Sequence, residues 1–187
     1  MSEITFIGHR ISKDGLQTDA EKVRTIKEMP PPQNVTELRR FLGLSNYLSK
    51  FSPNLTEITT PLRILTRKDV PWTWSETQQD AFNHDKLLVT QAPVLAMYDP
   101  QKELTLENDA SEHGLGSTLM QNGQLLAYAS CSLKDTERKW AQIEIELLAL
   151  IFGLEKFEHY TYGRHVNIVT DHQTASVNSD QISFQSS

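Results

Sequence analysis

The chain has 187 residues, 38% of them apolar, a formal net charge of −6 and a single cysteine, Cys131. That is enough for one ordinary domain or two small ones. The lone thiol excludes an internal disulfide and any multi-cysteine zinc site, and the acidic balance argues against a simple basic nucleic-acid binder. The charge is unevenly spread. Residues 16–70 hold nine Lys/Arg against six Asp/Glu, whereas residues 99–173 hold six against twelve. A mildly basic half that could meet phosphates precedes an acidic half whose carboxylates bound cations would offset. No apolar run approaches the length of a membrane span. The N-terminal MSEITFIGHR lacks the basic-then-apolar pattern of a secretion signal. An intracellular compartment, cytoplasmic or nuclear, is expected.

Residues 4–15 read as a strand followed by a turn at Asp14-Gly15. Residues 19–29 read as a short helix with Asp19 as N-cap and Val23 and Ile26 on one face, stopped by Pro30, Pro31 and Pro32. A second helix starts near Asn34 or Thr36 and carries Val35, Leu38, Phe41, Leu42, Leu44 and Leu48 on its apolar face. EITTPLRILTRK reads as a further short helix. Ser75 and Gln78 have capping-box spacing ahead of a helix through Ala81, Phe82 and Leu87. Asp85 falls on or near that apolar stripe and needs a partner or solvent.

The second half starts with ELTLEND, where Leu104 and Leu106 alternate with Thr105, Glu107 and Asp109 and place Asp109 on the polar face of a strand. Two further strands follow, joined by a hairpin at Asn122-Gly123. A long helix is expected from about Thr136 to Tyr160. It is apolar on two faces, Trp140/Ile143/Leu147/Leu150/Leu154 and Ile145/Leu148/Phe152, which predicts packing on both. HVNIVTD is the next strand, ending in Asp171. The pattern β-β-β-α-β predicts an α/β fold, α+β overall, with a mixed sheet. The tail TASVNSDQISFQSS has no clear period and reads as loosely ordered.

Asp109, Glu146 and Asp171 form the constellation with the most chemistry. A strand, a helix and a second strand each deliver one acid, as a paired-cation phosphodiesterase site requires. Glu146 sits at the border of the Ile143/Leu147/Leu150 stripe, where a carboxylate is costly unless paired or bound to metal. Glu144 lies near the opposite border, and spacing does not separate the two. Each acid also has a plainer role to fill: Asp109-Ala110-Ser111 as an Asx turn, Glu146 as a helix-edge residue reaching solvent, Asp171 as a cap. The six histidines show no helical metal-binding pair, and no nucleophile-elbow sequence is present.

At these residues the chain resembles a known family, the reverse transcriptase of gypsy-type LTR retrotransposons running into its ribonuclease H domain. FIGHRIS is similar to the end of the polymerase palm, and FLGLSNYLSKFSPN to the thumb. WTWSETQQDAFNHDKLL is similar to the link into the nuclease, and LTLENDASEHGLGSTLMQ with KWAQIEIELLALIFGLEKF to the ribonuclease H signature. The resemblance implies a division into residues 1–15 (palm end), 16–98 (helical thumb and connection), 99–173 (an incomplete ribonuclease H-like sheet with one long central helix) and a disordered tail, 174–187. It implies that Asp109, Glu146 and Asp171 are the catalytic, metal-binding acids, selecting Glu146 over Glu144, with two Mg²⁺ or Mn²⁺ ions as cofactors. The implied activity is hydrolysis of the RNA strand of an RNA–DNA hybrid. The implied partners are that hybrid or other nucleic acid and the remaining palm, finger and integrase parts of the polyprotein.

The departures define a second reading. The polymerase Tyr-x-Asp-Asp motif is absent, and the likeness stops after Gln173, before the family's further helices and fourth acid. Cys131, Asp85 and Asn108 stand where the family has Arg, an apolar residue and most often Thr. A catalytically inactive retroelement relic, with at most a nucleic-acid-binding or scaffold role, is the alternative to an active nuclease. Negligible cleavage by this chain alone is the expectation.

Overall fold

The computed structural model describes residues 4–6, 9–13, 15–53, 55–170 and 173–178. The chain divides into two compact units between Leu95 and Ala96.

The first unit opens with three short antiparallel strands, β1 (Ile4–Phe6), β2 (His9–Ser12) and β3 (Gly15–Thr18), in the order β1-β2-β3. The single strand expected over this segment is therefore two, with a third after it. Helix α1 (Ala20–Glu28) starts where Asp19 accepts a hydrogen bond from the Glu21 amide at 3.0 Å. Helix α2 (Val35–Tyr47) starts where the Asn34 carboxamide oxygen accepts from the Glu37 amide at 2.9 Å. Both caps satisfy amides that lack intrahelical partners. A 3-10 turn, Ser49–Phe51, follows.

One helix was expected over EITTPLRILTRK, and two appear, α3 (Leu55–Ile58) and α4 (Thr60–Ile64). Pro61 explains the break, because it has no amide to continue the ladder and is tolerated only at the start of a new helix. Helix α5 (Glu76–Thr90) begins with the expected Ser75–Gln78 capping box. Phe41, Phe51, Phe82, Leu38, Leu55 and Leu62 are fully buried in this unit's core. Each contributes about 2–3 kcal/mol of apolar burial. Leu16 and Leu95 exchange backbone hydrogen bonds, both at 2.8 Å, so the end of the unit pairs with its third strand.

The second unit is a five-stranded sheet in the order β6-β5-β4-β7-β8. Its strands are β4 (Leu104–Ala110), β5 (Gly114–Gln121), β6 (Gln124–Ser132), β7 (His165–Thr170) and β8 (Gln173–Asn178). The β4–β7 pair is parallel and the others are antiparallel, giving the mixed sheet that the pattern predicts. Asn122 and Gly123 both have positive φ, 48° and 73°, the combination that lets a two-residue hairpin follow the twist of β5 and β6. The tail was expected to be loosely ordered from residue 174, yet β8 pairs antiparallel with β7 over Gln173–Asn178. Residues 179–187 of that tail lie outside the described residues.

The long helix is shorter than expected. A 3-10 turn, Glu137–Lys139, is followed by extended backbone at Trp140 and Ala141; α6 (Gln142–Lys156) and α7 (Glu158–Thr161) come after. Only one of its two apolar faces is packed along its full length. Ile145 and Ala149 are buried with Leu115 and Leu133. Ile143 and Leu147 are 71% and 57% exposed, so the expected packing of the other face is absent at its N-terminal half. Farther along that face, Leu150 and Leu154 pack partly against the Leu104/Leu106/Leu119 cluster. No helix among the described residues is long and apolar enough to cross a membrane.

Candidate active site

Strand β4 alternates as its sequence requires. Leu104, Leu106 and Asn108 are buried, while Asp109 is exposed. Asp109 therefore opens on the face shared with Thr105 and Glu107. The strand ends in a turn that Ser111 holds. Its hydroxyl donates to the Gly114 carbonyl at 3.2 Å and accepts from the amides of His113 and Gly114 at 3.3 and 3.1 Å. The turn thus makes no use of Asp109. Its carboxylate has no hydrogen bond or ion pair among the described residues, and the Asx-turn role is not the one it plays.

Helix α6 separates the two glutamates that spacing left equivalent. The Glu144 carboxylate accepts the Ala141 amide at 2.8 Å and caps the helix start, where a negative charge also meets the positive end of the helix dipole. Glu146 is half-buried beside the fully packed Ile145, with one long contact, 3.4 Å, from the Gln142 carboxamide. Ala110, next to Asp109, packs against the cluster that holds Ile145 and Ala149. Ala110 and Ile145 thus share one apolar cluster, while Asp109 opens on the strand face opposite Asn108.

Asp171 lies outside the described residues. Among the described residues there is no group of three or more His, Cys, Asp or Glu side chains able to hold a metal ion. What the structure brings together are the neighbours of the strand acid and the helix acid, Ala110 and Ile145. Both acids present hard oxygen donors, neither has an ion pair among the described residues, and such donors suit Mg²⁺ or Mn²⁺ rather than a soft metal.

Two residues on the Asp109 face were not singled out from sequence. Glu107 shares the strand and the face. Tyr128 on β6 pairs with Thr118, and Thr118 pairs with Glu107. Burial, then the Glu107 charge, pushes the Tyr128 phenol above its ordinary value. Strict alternation along β4 was the signal that could have found Glu107. Tyr128 required the register.

Beneath Asp109, on the inward face, Asn108 and Ser117 are directly paired across β4 and β5 and are 8% and 3% exposed. The Ser117 hydroxyl donates to the Asn108 carboxamide oxygen. The Asn108 amide nitrogen is buried with no partner among the described residues. Gly153 of α6 lies directly over the pair. A Cβ at that position would meet the Ser117 hydroxyl and the Asn108 oxygen, the latter at 2.5 Å.

Comparison with known proteins shows what this arrangement is similar to. The family described as the RNase H-like domain found in reverse transcriptase matches residues 74–168. The retrovirus-related Pol polyprotein from transposon opus of Drosophila melanogaster is 37% identical over 92% of this chain and 19% of its own length. That from transposon gypsy of the same organism is 35% identical over 91% of this chain and 18% of its own. The transposon Tf2-3 polyprotein of Schizosaccharomyces pombe is 34% identical over 92% of this chain and 13% of its own. This chain spans less than a fifth of the length of these relatives. Among solved structures, the foamy viral protease-reverse transcriptase in complex with RNA/DNA hybrid superposes with a TM-score of 0.81 at 26% identity, over 90% of this chain and 24% of that one. The same protein in complex with dsDNA gives 0.80 at 25%, over 91% and 37%.

Proposed function

Because the chain belongs to the family of RNase H-like domains found in reverse transcriptase, we propose that its second unit is the divalent-metal nuclease module of a retrotransposon polyprotein and acts on the RNA strand of an RNA–DNA hybrid. What supports this is that the neighbours of the two acids, Ala110 and Ile145, meet in one cluster. Asp109 is exposed and unpartnered, with the turn beside it held by Ser111. Glu146 takes a long contact from the Gln142 carboxamide while Glu144 does the capping.

Asp171 is the third acid of the proposal. Leu104 pairs with Val166 and Glu107 with Val169 in the parallel β4–β7 register. Asp109 lies two residues beyond Glu107 in sequence, as Asp171 lies two beyond Val169.

Asp109 would hold a cation from the strand and Glu146 from the helix, with Asp171 completing the ligand set. Bound Mg²⁺ or Mn²⁺ would supply an activated water and neutralise charge on the leaving oxygen. The chain's own part is to fix those donors on a packed strand and a packed helix, so that little reorganisation accompanies reaction. Choice of hybrid over duplex DNA would rest on the 2′-hydroxyl and the A-like groove. The likeness to a foamy viral protein whose complex contains an RNA/DNA hybrid supports that substrate class. The first unit, similar over its length to the same polyproteins, would act as the thumb and connection that hold the hybrid.

Incubating the whole chain with Mn²⁺ and an end-labelled RNA–DNA hybrid tests the proposal. RNA-strand cuts that vanish in Asp109→Asn are the supporting result. An intact hybrid at saturating Mn²⁺ would leave the inactive retroelement reading in its place.

A further inference from the structure

We propose that the buried Asn108–Ser117 pair, seated against the bare backbone of Gly153, is a positioning device that sets where α6 rests along β4, and with that the separation of the Asp109 and Glu146 carboxylates. The proposal rests on the metal-site reading of those two acids.

The apolar contacts between α6 and the sheet are made by Ile145 and Ala149 against Leu115 and by Leu150 and Leu154 against the Leu104/Leu106/Leu119 cluster. Apolar contact is non-directional and tolerates sliding. A steric stop does not. Asn108 and Ser117 are fixed opposite each other by the strand register, and their hydrogen bond gives the pair one orientation. Gly153 comes down on that pair so closely that a Cβ would meet both polar atoms and, at 3.3 Å, a methyl of Leu106. The helix is therefore seated at one place by shape.

Both ends of this seat lead directly to the acids. Asp109 is one peptide from Asn108, on the opposite face of the same strand. Glu146 is seven residues before Gly153 on the same helix, a rise of about 10.5 Å along a stiff element. A shift of the helix on the strand is transmitted to Glu146 without loss.

The seat is also destabilising in isolation. Glycine inside a helix costs about 1 kcal/mol against alanine. The buried Asn108 nitrogen without a partner costs about 1–3 kcal/mol. An apolar residue at 108 and an alanine at 153 would relieve both, with a wider helix–sheet spacing. A close seat obtained at that cost is the mark of a position selected for geometry rather than for stability.

The test uses the whole chain and three readouts: circular dichroism, amide hydrogen exchange along α6, and Mn²⁺ affinity by calorimetry. Gly153→Ala and Asn108→Leu should keep the folded spectrum, speed exchange in α6, and weaken Mn²⁺ binding about tenfold, as outer-shell changes at metal sites do. Asn108→Thr keeps a hydroxyl for Ser117 and should bind Mn²⁺ as the parent chain does. Folded variants with parental Mn²⁺ affinity would overturn the proposal. If the parent chain binds no Mn²⁺, the metal reading fails separately. The seat is then judged by exchange, and α6 protection unchanged by Gly153→Ala overturns it. Should Gly153→Ala fail to fold, Ser117→Ala, which removes only one hydroxyl, decides by the same readouts.

Discussion

The carboxyl of Asp85 on α5 accepts a hydrogen bond from the Ser45 hydroxyl on α2 at 2.8 Å, and its second oxygen is buried without a partner among the described residues. Both residues are essentially inaccessible, at 0% and 1%. The acid found its hydroxyl partner, but not one for each oxygen.

Burial raises the Asp85 carboxyl from 3.8 to about 6, against the downward pull of the Ser45 hydrogen bond and the Arg63 charge. The folded state thus holds this proton more tightly than the unfolded chain. The stability it brings is fully present below pH 3.8 and is lost as pH rises through about 6. A shift of about two units corresponds to roughly 3 kcal/mol. Urea melts of the parent chain and Asp85→Asn should differ in pH dependence over that window, the parent losing more stability between pH 4 and 7. Parallel curves would contradict the buried-acid account.

The two glutamates of α6 should respond in opposite ways. Glu144→Ala removes a cap and should cost about 0.5–1 kcal/mol while leaving Mn²⁺ affinity unchanged. Glu146→Gln should change stability little and abolish Mn²⁺ binding. A calorimetric titration of each beside a thermal melt would reveal any exchange of roles.

The open and packed faces of α6 make a second contrast. Leu147→Gln and Ile143→Gln alter exposed side chains and should shift unfolding by no more than about 0.5 kcal/mol. Ile145→Ala empties a packed position and should cost about 2–4 kcal/mol. Equal losses from both faces would show that the exposed stripe is covered in solution.

Ser111→Ala removes the hydroxyl that closes the turn after β4. It should destabilise the second unit by about 1 kcal/mol. Asp109→Asn, at an exposed and unpartnered site, should leave the melting temperature within error while removing Mn²⁺ binding. A large drop in melting temperature for Asp109→Asn would assign that residue a structural role.

Local rules were legible wherever the determining partner lies within a few residues. Asp19, Asn34 and the Ser75–Gln78 box cap the helices they announce, and Asn122-Gly123 makes the expected turn, because each acts on its own neighbours. Long-range packing was not legible. Trp140, Ile143 and Leu147 have the period of a buried stripe, and nothing in that period says that a covering element is absent from the described residues. Glu144 and Glu146 were inseparable on a helical wheel, since the difference lies in the Ala141 amide that one of them accepts. The inward turn of Asn108 followed from alternation, but the Gly153 backbone above it could come only from the tertiary structure. Strand β8 was missed because a segment of Ser, Thr, Asn and Gln gains its order from the β7 edge rather than from its own pattern. Asp171 entered the constellation from its place at the end of a predicted strand and from the family resemblance, and it lies outside the described residues.

The two backbone hydrogen bonds between Leu16 and Leu95 bring β3 and the last residue of the helical unit side by side, closing the segment from Leu16 to Leu95. Its sequence is therefore close to a ring. Joining those ends through a short linker and opening new termini at the exposed Lys68-Asp69 pair should give a circularly permuted protein with every helix of that unit intact.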